Sequence, residues 1–114
     1  MIESYSFGKI IINGHPYTRD IIIMSDGKII SPWWRKASHV LAVSDIEEII
    51  KSTPGILVVG TGDPGMMKPV RGFTADLKAK NIRVVVLPTE HAVVTFNKLK
   101  KESEFVAACF HLTC

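Results

Sequence analysis

The chain has 114 residues, of which 46% are hydrophobic and 22% charged, with a formal net charge of +3. That is enough for one domain with a single core, too apolar for a disordered chain, and without any apolar run near the roughly 20 residues of a membrane span. Pro64 to Lys101 contains eight basic and two acidic residues, against six and seven in Met1 to Asp63, so the positive excess lies in one segment. Such a field favours anions, although Lys-rich helices are more often solvated faces.

The opening stretch MIESYSFGK has neither a basic region followed by an apolar one nor an Arg/Ser-rich character, so the expected location is the cytoplasm. Cys109 and Cys114 lie five positions apart. On a strand that spacing points them to opposite faces, and they are read as reduced thiols.

In chain order, KIIING and RDIIIM are short β-branched runs separated by Asn13, Gly14 and Pro16, and Ser25-Asp26-Gly27 is a hairpin turn into KIISPWW. The pattern predicts two hairpins sharing the strand around Ile22. Ile21 and Ile23 point to one face of that strand, Ile22 and Met24 to the other. It therefore needs cover on both sides, from helices or from another chain. Trp33 and Trp34 alternate faces, so one of them enters the core and the other is a candidate surface anchor.

Ser44 with Glu47 reads as a capping box for a helix over residues 45–52, its stripe made by Ile46, Ile49 and Ile50. Thr53-Pro54-Gly55 stops it. ILVVG follows as a buried strand, VRGFTADLKAK as an amphipathic helix with Val70, Phe73 and Leu77 on one side, and RVVVLP as a second buried strand. Thr89 caps a helix over residues 90–103, and EFVAACFHL closes as a strand. Strand, helix, strand implies a parallel pair with a right-handed crossover.

Gly60, Gly62 and Gly65 in VVGTGDPGMM have the G-x-G-x-x-G spacing of a dinucleotide-binding loop. Such a loop opens directly into a helix and has an acidic residue about 20 positions on. Here Pro64 and Pro69 delay the helix and Glu90 is 25 residues past Gly65, so no nucleotide cofactor is expected. The plainer reading is a tight exit from a buried strand. Between the two stands a small-anion site. If residues 56–60 and 84–88 are parallel neighbours, two helix starts with Lys68 and Arg71 face one crevice, where the loop at Gly60, Thr61, Gly62, Asp63 and Gly65 offers backbone donors.

Cys109 and His111 would share a strand face, yet two ligands fall short of a closed metal set and no metal is expected. His39 after Arg35 has acid–base capacity, though a lone histidine is more often a structural group. The signatures G-x-S-x-G, Cys-x-x-Cys and H-E-x-x-H are absent, so enzyme activity is not the leading expectation. Aromatic residues are not interleaved with Lys and Arg as stacking platforms, and no nucleic-acid or membrane partner is expected.

The stretches FGKIIINGHPYTRDIII with DGKI, then WWRKASH, VVGTG and PTEHAVVTFNKL resemble, in order and across nearly the whole chain, the Mth938-like domain family. Its members include an adipogenesis-associated protein and an assembly factor of mitochondrial complex I. The resemblance implies a three-layer mixed α/β domain with a mixed central sheet, helices on one face and N-terminal β-hairpin structure on the other. It also implies recurring polar positions at Trp34, Arg35 and His39, at Gly60-Thr61-Gly62, and at Thr89 with Asn97, none with a catalytic role. The opening stretch does not read as the presequence of the mitochondrial members, so a complex I role is not expected. His91-Ala92-Val93 stands where many relatives have small residues and a cysteine.

The expectation is a non-enzymatic protein acting through a protein partner or as a homo-oligomer, with Trp34, Arg35 and His39 as interaction candidates. The alternative is a binding domain or enzyme for a small anion at the glycine loop, drawing on Lys68, Arg71, Thr89 and Asn97.

Overall fold

The computed structural model of the chain describes residues 1–114. Asn13 and Gly14 both take positive φ, 50° and 81°, the two-residue turn whose twist matches a hairpin. They fold Lys9–Ile12 (β2) back onto His15–Tyr17 (β3), and Ile2–Ser6 (β1) pairs with the other side of β2. Pro16 is tolerated because β3 is an edge. This three-stranded sheet corrects the shared-strand expectation. The tight turn commits β2 to the segment immediately after it, so Ile21–Ile23 (β4) is free to join a different sheet.

That second sheet has five strands in the order β5-β4-β10-β7-β9, where β5 is Ile29–Ile30, β7 Ile56–Gly60, β9 Arg83–Leu87 and β10 Val106–Phe110. The Ser25-Asp26-Gly27 turn joins β4 to β5 as expected. Strands β7, β9 and β10 are parallel, and β4 runs antiparallel to β10. Every residue of β10 is buried, as the centre of a sheet covered on both faces requires. A small parallel pair joins Val40–Leu41 (β6) to Lys68–Pro69 (β8).

Three helices complete the fold: Glu47–Lys51 (α1), Phe73–Lys78 (α2) and Thr89–Glu102 (α3). A 3-10 turn over Val43–Ile46 leads into α1. Ser44 is not its cap. It lies inside that 3-10 turn, two residues before the N-cap Ile46, and the Asp45 carboxylate accepts the N–H groups of Ala42 at 2.8 Å and Lys36 at 3.1 Å. Helix α2 starts at Phe73 rather than Val70 because β8 holds residues 68–69 extended and Gly72, at φ 86°, precedes the first turn. Val70 consequently lies at the surface while Phe73 and Leu77 are buried.

The architecture is the expected mixed α/β one, in three layers. One core joins Ile2, Ile10 and Ile12 of the N-terminal sheet to Ala92, Val93 and Phe96 of α3 against one sheet face. The other joins Ile46, Ile49, Phe73 and Leu77 to Leu57, Val59 and Cys109 on the opposite face. Helix α3 thus shares its layer with the N-terminal sheet, away from α1 and α2. Handedness decides this: the chain moves outward from β7 to β9 through α2, then back across β7 to β10 through α3, and two right-handed crossovers in opposite directions use opposite faces. Both sides of β4 are filled from within the chain, so the strand needs no second chain to cover it.

Candidate functional site

The carboxyl ends of β7, β9 and β10 gather at one edge of the sheet, where the crossovers leaving β7 and β9 go to opposite faces. Open α/β sheets bind ligands in the crevice at such a point. In this chain residues 111–114 occupy it. Asp63 N–H donates to Thr113 O at 2.9 Å, Met66 N–H to Cys114 O at 2.7 Å, and His111 N–H to Gly60 O at 2.9 Å.

The glycine loop is shaped for that packing. A Cβ on Gly62, which has φ +104°, would overlap the Thr113 carbonyl oxygen and stand 2.7 Å from His111 Cδ2, and one on Gly60 would come 2.6 Å from the Phe110 ring. The loop amides are also engaged: Thr61 N–H donates to Leu87 O, Met67 N–H to Thr61 O and Lys68 N–H to His39 O, at 2.9–3.1 Å. Gly62 N–H donates to Thr89 Oγ1 at 2.8 Å, and that hydroxyl donates onward to His111 O at 2.6 Å. Thr89, fully buried, is therefore a tie between the loop and β10. The unpaired donors expected at this loop are in large part spent within the chain. Lys68 and Arg71 are exposed on the segment that follows. Asn97 lies elsewhere, its amide group accepting from Ile2 N–H at 3.0 Å and donating to Ile2 O at 2.8 Å, which fastens β1 to α3.

Beside the plugged crevice, three charged or polar side chains from distant parts of the sequence meet. Asp20 Oδ2 accepts from Arg35 Nη1 at 2.9 Å and lies 2.7 Å from His111 Nδ1, while Oδ1 accepts the Leu112 N–H at 2.8 Å. The Arg35 and His111 side chains are only 4% and 6% exposed. Arg35 also donates through Nε and Nη2 to Ser38 O, at 3.0 and 2.6 Å, and its guanidinium stacks 4.7 Å above the Trp33 ring. Burial raises the Asp20 pKa, but the hydrogen bonds from His111, the Leu112 amide and Arg35 outweigh it and hold the carboxyl below its ordinary value of 3.8. His111 Nδ1 also lies 3.2 Å from Arg35 Nη2, and its Nε2 is buried without a partner.

The cluster floors a cleft of about 230 Å³ whose rim includes Arg19, Trp34, Ser38 and Thr113. Trp33 is buried with its Nε1–H donating to Asp45 O at 2.9 Å, whereas Trp34 is 72% exposed. One tryptophan is thus buried and the other exposed, on a segment outside the sheet. His39 is exposed beside the cluster, its ring edge-on to that of His111 at 5.7 Å and its Nε2 3.9 Å from Cys114 Sγ. On the N-terminal side Tyr5 donates from its hydroxyl to Leu112 O at 2.8 Å. Burial, then the charges of Asp63, Asp20 and Glu90, push its pKa up to about 12.

Arg35, His39 and Trp34 are thus brought together, and Gly60, Thr61, Gly62 and Thr89 border them through residues 111–113. The sequence reading missed Asp20. It placed His111 on a shared strand face with Cys109, whereas Cys109 is buried in the opposite core with its thiol pushed far above the ordinary range by burial. No three His, Cys, Asp or Glu side chains are placed to share an ion. The available signal for Asp20 was an acidic residue opening a strand with no polar face, which needs a cation nearby.

No helix is long and apolar enough to cross a membrane. Residues 2–111 match the model of a family described as proteins of unknown function, DUF498/DUF598. The chain is similar to the solved structure of MT938, with 27% identity and a TM-score of 0.84 over all of this chain and 98% of that one. It is likewise similar to the conserved hypothetical protein PH1505 of Pyrococcus horikoshii OT3, with 25% identity and a TM-score of 0.83 over 100% and 99% of the two chains. A Mth938-like domain protein of Bordetella pertussis shares the fold at 18% identity and a TM-score of 0.67, over 98% and 85% of the chains. The chain belongs to this family of unknown function, the Mth938-like family.

Proposed function

We propose that the protein works by recognition rather than by chemistry, and that the face around Trp34 and its cleft receives a partner protein. The observation that carries this reading is an indole left 72% exposed at the mouth of a cleft whose floor is rigid. Tryptophan and arginine dominate binding hot spots, and an indole offers a large contact area at low entropic cost. The polar groups beneath are unsuited to turnover. Asp20 and Arg35 saturate each other and neighbouring backbone groups, and the remaining polar atom, His111 Nε2, is buried. Arg19 on the rim and the positive net charge of the chain favour an acidic partner segment.

The test is a comparison of baits: the wild-type chain, Trp34→Ala, and Val94→Ala, whose side chain is exposed on α3. The expected outcome is one captured protein shared by wild type and Val94→Ala, lost from Trp34→Ala at unchanged melting temperature. Retention by Trp34→Ala would refute the reading. A small anion near the glycine loop is the second reading, supported by exposed Lys68 and Arg71 on the most basic segment. It would be met by those side chains more than by the loop's backbone.

A further inference from the structure

The five-stranded sheet ends differently on its two sides. Strand β5 is two residues long, and a short edge offers little to pair with. Strand β9, at the other side, has five residues, Arg83-Val84-Val85-Val86-Leu87, and pairs only with β7. It has one charge, at its first position, no proline, and three consecutive valines of high β-propensity. Chains normally blunt such an edge with charge, proline or a bulge. This one has no proline and no bulge, its single charge stands at the strand's first position, and Val86 is 38% exposed on it.

The hydrogen bonds fix which groups face outward. Arg83 N–H donates to Gly55 O at 3.0 Å, and Leu87 O accepts from Thr61 N–H at 2.9 Å. In a parallel ladder both main-chain groups of a residue point to the same neighbour, alternating along the strand. Arg83, Val85 and Leu87 therefore face β7, and the N–H and C=O groups of Val84 and Val86 face out of the sheet.

We propose that β9 is a pairing site for β9 of a second copy, antiparallel and centred on Val85. The occupant follows from self-complementarity. In an antiparallel pair the outward residues must stand opposite each other as hydrogen-bonded pairs, and a two-fold axis at Val85 places Val84 opposite the partner's Val86 and Val86 opposite the partner's Val84. Each pair exchanges two bonds, so all outward groups of both strands are satisfied. The same register sets Val85 against its own copy as the non-hydrogen-bonded pair, where side chains approach most closely. It also sets each Arg83 opposite a Leu87, which keeps the two guanidinium groups at opposite ends of the ladder. The product is one continuous ten-stranded sheet, and the Trp34 cleft is not part of the contact.

Sedimentation of the whole chain at about 100 µM tests this, together with Val86→Lys, which places a charge at the edge, Val84→Pro, which removes one outward N–H that the monomer does not use, and Trp34→Ala. The expected result is a dimer of the 12.6 kDa chain for wild type and Trp34→Ala, and a monomer for Val86→Lys and Val84→Pro, each with wild-type circular dichroism. Hydrogen exchange should show the amides of Val84 and Val86 at least tenfold more protected in wild type than in Val86→Lys. A monomeric wild type at this concentration overturns the proposal. So does a dimer that survives Val86→Lys or that dissociates only in Trp34→Ala. Failure here leaves the partner-capture test of the Trp34 face untouched, since that test uses neither valine.

Discussion

Asp20 is the residue on which the candidate site turns, because it neutralises Arg35, engages His111 Nδ1 and holds the Leu112 amide at once. Removing one partner of a buried ion pair strands the other charge, which costs ~3–5 kcal/mol when burial is complete. Asp20 itself keeps some solvent contact, with its side chain 17% exposed. Asp20→Asn should therefore cost about 3 kcal/mol at pH 7, near the lower end of that range. The sign of the pH dependence follows from a folded pKa held below the ordinary 3.8. The unfolded chain takes up the proton first as pH falls, so this stabilisation is complete above the ordinary value and is lost as the pH drops through the folded one. Urea unfolding from pH 7 down to pH 2 should show Asp20→Asn less stable at neutral pH and less sensitive to acid than wild type. Parallel curves would mean that the carboxylate contributes nothing specific.

At the scale of elements, the legible parts of the fold were the apolar runs bounded by turn residues. ILVVG, RVVVLP and the core of EFVAACFHL are strands, and the last helix is displaced by one residue, starting at Thr89. The N-terminal sheet was legible only in part, because IESYS and HPY show no clean alternation of polar and apolar residues. Their pairing is set by the Asn13-Gly14 turn. The Asp20 cluster joins residues 15 and 91 positions apart, and such separations leave no periodic trace. The glycine spacing was legible and its simplest reading, a tight exit from a strand, accounts for Gly62 through the segment it packs against. Gly62→Val places a β-branched residue at φ +104° against the Thr113 carbonyl and should cost ~3–5 kcal/mol, from strain and overlap together. In the wild type, phosphate added to millimolar levels should leave the amide resonances of Thr61, Gly62, Asp63 and Met67 in place, because these donors are already bonded within the chain. A concerted shift of those amides would return the anion to the backbone of the loop.

For the whole molecule, residues 111–114 are the point where the layers are joined. Leu112 is fully buried in the core shared by the N-terminal sheet and α3, and its carbonyl accepts from both Tyr5 Oη and Gly8 N–H. Its amide is bound by Asp20, His111 engages the same carboxylate, and Thr113 and Cys114 accept from the glycine loop. A short segment thus ties the N-terminal sheet, the start of β4, the Arg35 segment and the end of β7. Replacing residues 111–114 with Gly-Ser-Gly-Ser removes a buried leucine, which alone costs ~2–5 kcal/mol, and several hydrogen bonds at ~1 kcal/mol each. The sum approaches the whole ~5–15 kcal/mol that keeps a domain folded. The replaced chain should retain far-UV helix and strand signal from the β7-α2-β9-α3 unit, lose its near-UV tryptophan signal as Trp33 is released, and bind a hydrophobic dye. Retention of a sharp near-UV spectrum and a melting temperature within a few degrees of wild type would show that the layers hold without this segment. The crevice at the ends of β7 and β10 would then be open to a ligand, in place of the plug that now fills it.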